Sequence, residues 1–253
     1  MQTLGVIGTG HLATYFVAAL RRGGFTGEIV LSPRNAARAK ILAEQRKCRI
    51  ASSNADVLER SEVVLLSVRP HDARTAVAGL HWRAEHVVLS AMAGIGLAEL
   101  REMLPGAGAI HMIMPLSYLE VAPGPFPLCP PSAALMGLLS HAGQVVPIAD
   151  EKAYEASLIA SCASTWIYDL AEVMATELGR YGLEPGAART LALGGIAGSA
   201  AYASARPEEG LADISRSIAT EGTYTKLGLD LMKSRGFDQP WREAMAAIAA
   251  KLD

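Results

Sequence analysis

The residues whose types and spacing could do chemistry begin eight positions into the chain. Gly8-Thr9-Gly10-His11-Leu12-Ala13 follows a short apolar run and opens a stretch with helical periodicity. Between strand and helix, that spacing gives each small residue a task. Gly8 permits a tight turn, Gly10 lets backbone approach a pyrophosphate, and Ala13 allows close helix–strand packing. The helix start then offers unpaired N–H groups and a partial positive charge to phosphate oxygens. Gly8, Thr9, Gly10, His11 and Leu12 are therefore read as a dinucleotide-binding turn, against the plainer alternative of a purely structural one. The next apolar run ends in Ser32-Pro33-Arg34-Asn35. An NAD site usually places Asp or Glu there for the ribose 2′-hydroxyl. A hydroxyl from Ser32 and a guanidinium from Arg34 suit a 2′-phosphate instead. NADP(H) is favoured and NAD(H) stays open, with Arg34 as a mere solvated charge the bland alternative.

Hydrophobic patterning supplies the elements that must hold these residues. It predicts strands over residues 3–7, 28–31, 63–68, 87–90 and 109–114, alternating with helices over 11–22, 36–45, 71–79 and 97–103. Val, Ile and Leu runs between helices indicate βαβ units and a parallel sheet covered on both faces. From residue 150 the pattern is helical only, with helices expected over 151–181, 187–204, 222–234 and 239–252. The expected architecture is α/β: a Rossmann-type dinucleotide-binding domain over residues 1–149, then an all-α domain over 150–253. The second helix of that domain carries Gly194-x-x-x-Gly198 among alanines, which lets another helix approach closely. A homodimer through the C-terminal helices follows, because a helical domain of this size buries too little alone. A tight intrachain bundle is the alternative.

Composition narrows the function classes. With 51% apolar and 19% charged residues the chain can build a core and is not disordered. Its net charge of −2 lacks the basic footprint of a nucleic-acid binder. The longest stretch without Asp, Glu, Lys or Arg, residues 121–149, is interrupted by prolines, and no secretory leader opens the sequence, so no membrane association is expected. Cys48, Cys129 and Cys162 and six scattered histidines have no metal-ligand spacing, so no metal is expected. Three isolated cysteines suit a reducing cytoplasm.

Several segments together resemble the pyrroline-5-carboxylate reductase family through nearly the whole chain. They are the turn at Gly8, Ser32-Pro33-Arg34, Val68-Arg69-Pro70, Ser90-Ala91-Met92-Ala93-Gly94, Met114-Pro115, Glu172-Val173-Met174-Ala175 and Gly222-Thr223. The resemblance implies an NAD(P)H-dependent enzyme reducing a cyclic imine on the way to proline. It implies cofactor contacts for Val68, Arg69, Pro70, Ala93 and Gly94, which end strands where such folds bind ligands. Asn54 falls where the family often has an asparagine near the adenosine ribose. The family's loop at Glu221-Gly222-Thr223 holds a small-molecule substrate by its carboxylate on backbone N–H groups, and Thr223 is the expected catalytic hydroxyl, beside the imine nitrogen.

The departures are specific. Leu116 replaces the family's asparagine after Met-Pro, and Met112 its arginine before that pair. Thr220-Glu221-Gly222-Thr223 stands for Pro-Gly-Gly-Thr, so a glutamate enters or borders a carboxylate site, where like charges repel. Two other readings stay open. One is a non-catalytic NADP(H)-binding or sensor protein, which these departures would suit. The other is a different hydride-transfer dehydrogenase, such as a β-hydroxyacid dehydrogenase. Such an enzyme needs a lysine in the long helix, and none stands between Ala153 and Leu178.

Overall fold

The computed structural model describes residues 3–252, so the outer ends of the two expected domains, at 1 and 253, lie outside the described residues. It divides into two compact units, Met1–Leu158 and Ile159–Asp253.

The first unit is built on one eight-stranded sheet of order β3-β2-β1-β4-β5-β6-β7-β8. Its strands are β1 (Leu4–Ile7), β2 (Ile29–Leu31), β3 (Arg49–Ile50), β4 (Val63–Leu66), β5 (Val87–Ser90), β6 (Ala109–Ile113), β7 (Pro125–Cys129) and β8 (Gln144–Pro147). The first six strands run parallel, in the order of a dinucleotide-binding fold. Strands β1 and β4 are buried along their whole length, as their Val, Leu and Ile runs, broken only by Gly5, require. Helix α1 (His11–Arg22) lays Phe16, Val17, Ala19 and Leu20 on the core, where Phe16 meets Phe126 edge-on at 6.1 Å.

The sheet corrects the expectation of an all-parallel one. Strand β7 runs antiparallel to β6. It comes from the proline-rich stretch, Pro-Phe-Pro-Leu-Cys, whose prolines argue against a strand. Successive backbone N–H groups point to opposite neighbours, so prolines two positions apart remove donors on one side only. The short elements β3, β8, α3 (Asn54–Glu59) and α6 (Ala133–Leu139) also went unpredicted. Between them lie α2 (Ala36–Arg46), α4 (Ala73–Val77) and α5 (Leu97–Met103), close to their expected spans.

Helix α7 (Glu151–Arg180) begins in the first unit and continues into the second. The second unit also holds α8 (Pro185–Ser204), α9 (Leu211–Ile218), α10 (Tyr224–Ser234) and α11 (Gln239–Leu252), of which α9 was not foreseen. Alanines supply much of its interior, including Ala171, Ala188 and Ala192. Trp166 and Trp241 pack edge to face at 5.3 Å. A side chain placed at Gly194 or Gly198 would meet nothing, so this chain does not itself fill the glycine face of α8.

Candidate functional site

The register lines up the carboxyl ends of the parallel strands. Ile7 pairs with Leu66, Leu66 with Ser90, and Ser90 with Met112. The chain reverses direction across the sheet between β1 and β4, and ligands of open α/β sheets bind at that point. Here Gly8 leaves β1 with φ +102°, a conformation that L side chains rarely adopt. A Cβ on Gly8 would lie 2.7 Å from the Ser67 carbonyl, so the turn is closed by contact as well as by dihedral. Ser67 fixes it further, its hydroxyl donating to the Gly8 carbonyl at 2.7 Å. Gly10, by contrast, has room for a Cβ, which would meet the Ser67 carbonyl at 3.9 Å in ordinary van der Waals contact.

Gly10 caps α1 without any side-chain hydrogen bond, and no acidic residue occupies the first turn. The N–H groups of His11 and Leu12 therefore stand ready for an acceptor, as phosphate-binding turns require. Thr9 is only 2% exposed and its hydroxyl has no partner, a buried polar group that a ligand oxygen would satisfy. The uncrowded Gly10, the unpaired amides and this hydroxyl fit a dinucleotide pyrophosphate.

Ser32 departs from its expected role. It is 1% exposed, and its hydroxyl accepts the Gly8 N–H at 3.0 Å, so it braces the turn from within. Arg34 is exposed but not alone, because Asp72 lies 3.3 Å from its guanidinium. An acid does reach the end of β2, from the turn after β4 rather than from β2 itself. Nothing local in the sequence signals that approach across 38 positions. Arg38, on the first turn of α2, also escaped sequence reasoning. Its guanidinium lies 2.6 Å from His11 Nε2, which brings it to the start of α1. Its signal was present: two arginines one helical turn apart at the end of β2.

The remaining predicted cofactor residues divide by location. Val68 is half-buried, while Arg69, Pro70, Ala93 and Gly94 lie exposed after β4 and β5 on the same edge. Asn54 opens α3 and spends its amide on the Ala76 carbonyl at 2.8 Å, leaving its own oxygen available. Met112 is buried within β6, and Leu116 precedes a short 3-10 turn.

In the second unit, Thr223 caps α10. Its hydroxyl accepts the Lys226 N–H at 3.1 Å and donates to the Thr220 carbonyl at 2.7 Å. The hydroxyl proton is thereby committed, and one acceptor lone pair remains. Gly222 supplies the turn before it with φ +81°. The Glu221 side chain is 93% exposed and lies 3.9 Å from Lys226 Nζ. The Asp230 carboxylate, 2.5 Å from that ammonium, holds Lys226 above the usual lysine range, and Glu221 adds to the effect. Among the described residues, no three His, Cys, Asp or Glu side chains gather as a metal site would need.

Fold and turn define a Rossmann-type dinucleotide-binding scaffold, and a helical domain follows it in the chain. Residues 3–94 match the family described as NADP oxidoreductase coenzyme F420-dependent, and residues 151–253 match pyrroline-5-carboxylate reductase dimerisation. The pyrroline-5-carboxylate reductase of Pasteurella multocida is 25% identical over 97% of this chain and 94% of its own. That of Synechocystis is 25% identical over 96% and 94%. Among solved structures, 1-pyrroline-5-carboxylate reductase from Streptococcus pyogenes superimposes with a TM-score of 0.86 at 22% identity, covering 99% of this chain and 98% of that one. Plasmodium falciparum pyrroline carboxylate reductase, solved with NADP bound, gives 0.86 at 18% identity, over 99% and 97%. Along nearly its whole length the chain is thus similar to pyrroline-5-carboxylate reductases, at about a quarter identity.

Proposed function

We propose that this chain is an NADPH-dependent reductase of a cyclic imine, converting 1-pyrroline-5-carboxylate to proline. The observation that carries the reading is the conjunction, in one chain aligned end to end with named reductases, of the glycine turn and the Thr223-capped loop. A nicotinamide, when bound, supplies a hydride for the carbon of the C=N bond. The chain's own contribution is to bind, orient and exclude water. Gly8, Thr9, Gly10, His11 and Leu12 would hold the pyrophosphate. Val68, Arg69, Pro70, Ala93, Gly94 and Asn54 would line the rest of the dinucleotide.

Thr223 fits an accepting role toward the protonated imine nitrogen. Its proton already serves Thr220, so it offers a lone pair and no acid. The backbone N–H of Gly222 would take the substrate carboxylate, the Thr223 N–H being already given to the Thr220 carbonyl at 3.2 Å. Because Glu221 turns to solvent beside Lys226, its charge is partly offset and held off that site. This favours pyrroline-5-carboxylate itself over an uncharged imine.

The protein is further proposed to act as a cytoplasmic homodimer through its C-terminal helices. Tyr224, Leu227 and Leu231 on α10 and Leu191 on α8 are exposed apolar side chains, and the α8 glycine face is unfilled. No helix among the described residues is long and apolar enough to cross a membrane.

The test is NADPH oxidation by the purified protein with pyrroline-5-carboxylate, alongside Thr223→Ala. Turnover that collapses in the variant supports the reading. Binding of NADPH without its consumption would favour the sensor alternative.

A further inference from the structure

Four side chains beside the glycine turn form two pairs that the proposed reaction leaves unexplained. Arg34 is held by Asp72 at 3.3 Å, and Arg38 lies 2.6 Å from His11 Nε2. Both arginines stand at the start of α2, Arg34 just before its cap residue Asn35 and Arg38 within its first turn. Cations there oppose the helix dipole, which favours anions at that end. Neither arginine has a structural task in the core, since Arg34 is exposed and Arg38 only half-buried.

Their resting partners are the informative part. An arginine has only donors, so His11 must present Nε2 as an unprotonated acceptor to Arg38. That contact ties α2 to the first residue of the dinucleotide turn. Asp72 does the opposite kind of work. Its carboxylate can accept hydrogen bonds from a ribose, but it repels a phosphate and occupies the guanidinium that a phosphate would use.

We propose that Arg38, positioned by His11, is the main determinant of NADPH over NADH, and that Asp72 weakens the discrimination by masking Arg34. The inference rests on the proposed dinucleotide site and deepens it by assigning the 2′-phosphate contact. On arrival of the phosphate, Arg38 pairs with it and Arg34 leaves Asp72 to join.

The probes are adenosine 2′,5′-bisphosphate and AMP, titrated calorimetrically into the full chain, with NADPH and NADH titrated in parallel. Arg38→Ala is expected to weaken the bisphosphate about tenfold and AMP by less than about twofold, as loss of one charged contact implies. Arg38→Lys keeps the charge without the planar fork and should recover only part. Asp72→Asn should tighten the bisphosphate about fivefold and leave AMP unchanged or weaker. Unchanged thermal midpoints keep these comparisons free of folding effects. Equal losses for both probes in Arg38→Ala, or no loss, would overturn the inference, as would a wild-type protein indifferent to the 2′-phosphate. Such indifference with NADPH and NADH both bound leaves the dinucleotide site standing. A protein that binds neither overturns the proposed function and this assignment together.

Discussion

At the scale of single residues, Gly8 and Gly10 separate folding from binding. Gly8→Ala forces an L side chain into φ +102° against the Ser67 carbonyl and should cost about 1–3 kcal/mol in stability, read from thermal unfolding. Gly10→Ala places its methyl in ordinary van der Waals contact with the Ser67 carbonyl at an ordinary φ of −87°. It should leave the midpoint nearly unchanged and weaken NADPH binding, because the methyl stands where backbone must approach the phosphates. Thr223 carries two tasks at once. Thr223→Ala loses the α10 cap, worth about 1 kcal/mol, and the acceptor, which should lower kcat/KM about tenfold or more, while Thr223→Ser retains both. Glu221→Gly should change kcat/KM by less than about threefold, since the side chain already faces solvent beside Lys226. The roles of the turn residues were legible because tight turns and close approach admit few residue types. The Asp72–Arg34 pair was not, because contacts between distant segments leave no local trace.

Elements show the same division. Helices and strands with a clear apolar pattern appear near their expected places, among them α1, β5, α5 and α11. Strand β7 and the short α3 and α9 did not announce themselves, since their identity depends on neighbours or on a few capping bonds. Ser53 caps α3 by accepting the Asp56 N–H at 3.1 Å, which in sequence is one serine among several. Helix α5 shows how an element can borrow its cap. Its own cap residue is Gly96, and the Glu151 carboxylate, from the start of α7, accepts the Leu97 N–H at 2.7 Å. A carboxylate also suits the positive end of that helix. Glu151→Ala should destabilise the protein by about 1 kcal/mol and speed hydrogen exchange in the first turn of α5. Exchange unchanged there would mean that the borrowed cap contributes nothing.

Over the whole molecule, the sheet presents every candidate cofactor residue at or near its carboxyl edge, and the helical unit exposes the apolar faces a second copy would cover. Light scattering should give twice the chain mass, and Leu227→Asp should shift it toward the monomer. Global stability should also respond to pH through His86, fully buried before β5, where burial above all depresses its pKa. The unfolded chain takes a proton near pH 6.5 while the folded one resists it. Stability is therefore complete above that value and falls as the pH drops below it, and His86→Gln should flatten that fall. The central claim, hydride transfer to a cyclic imine, is tested most directly with NADPH deuterated at the transferable position of the nicotinamide. Incubation with pyrroline-5-carboxylate should yield proline carrying one deuterium on the ring carbon beside nitrogen that was the imine carbon. Unlabelled proline, or no proline while NADPH binds, would contradict the account.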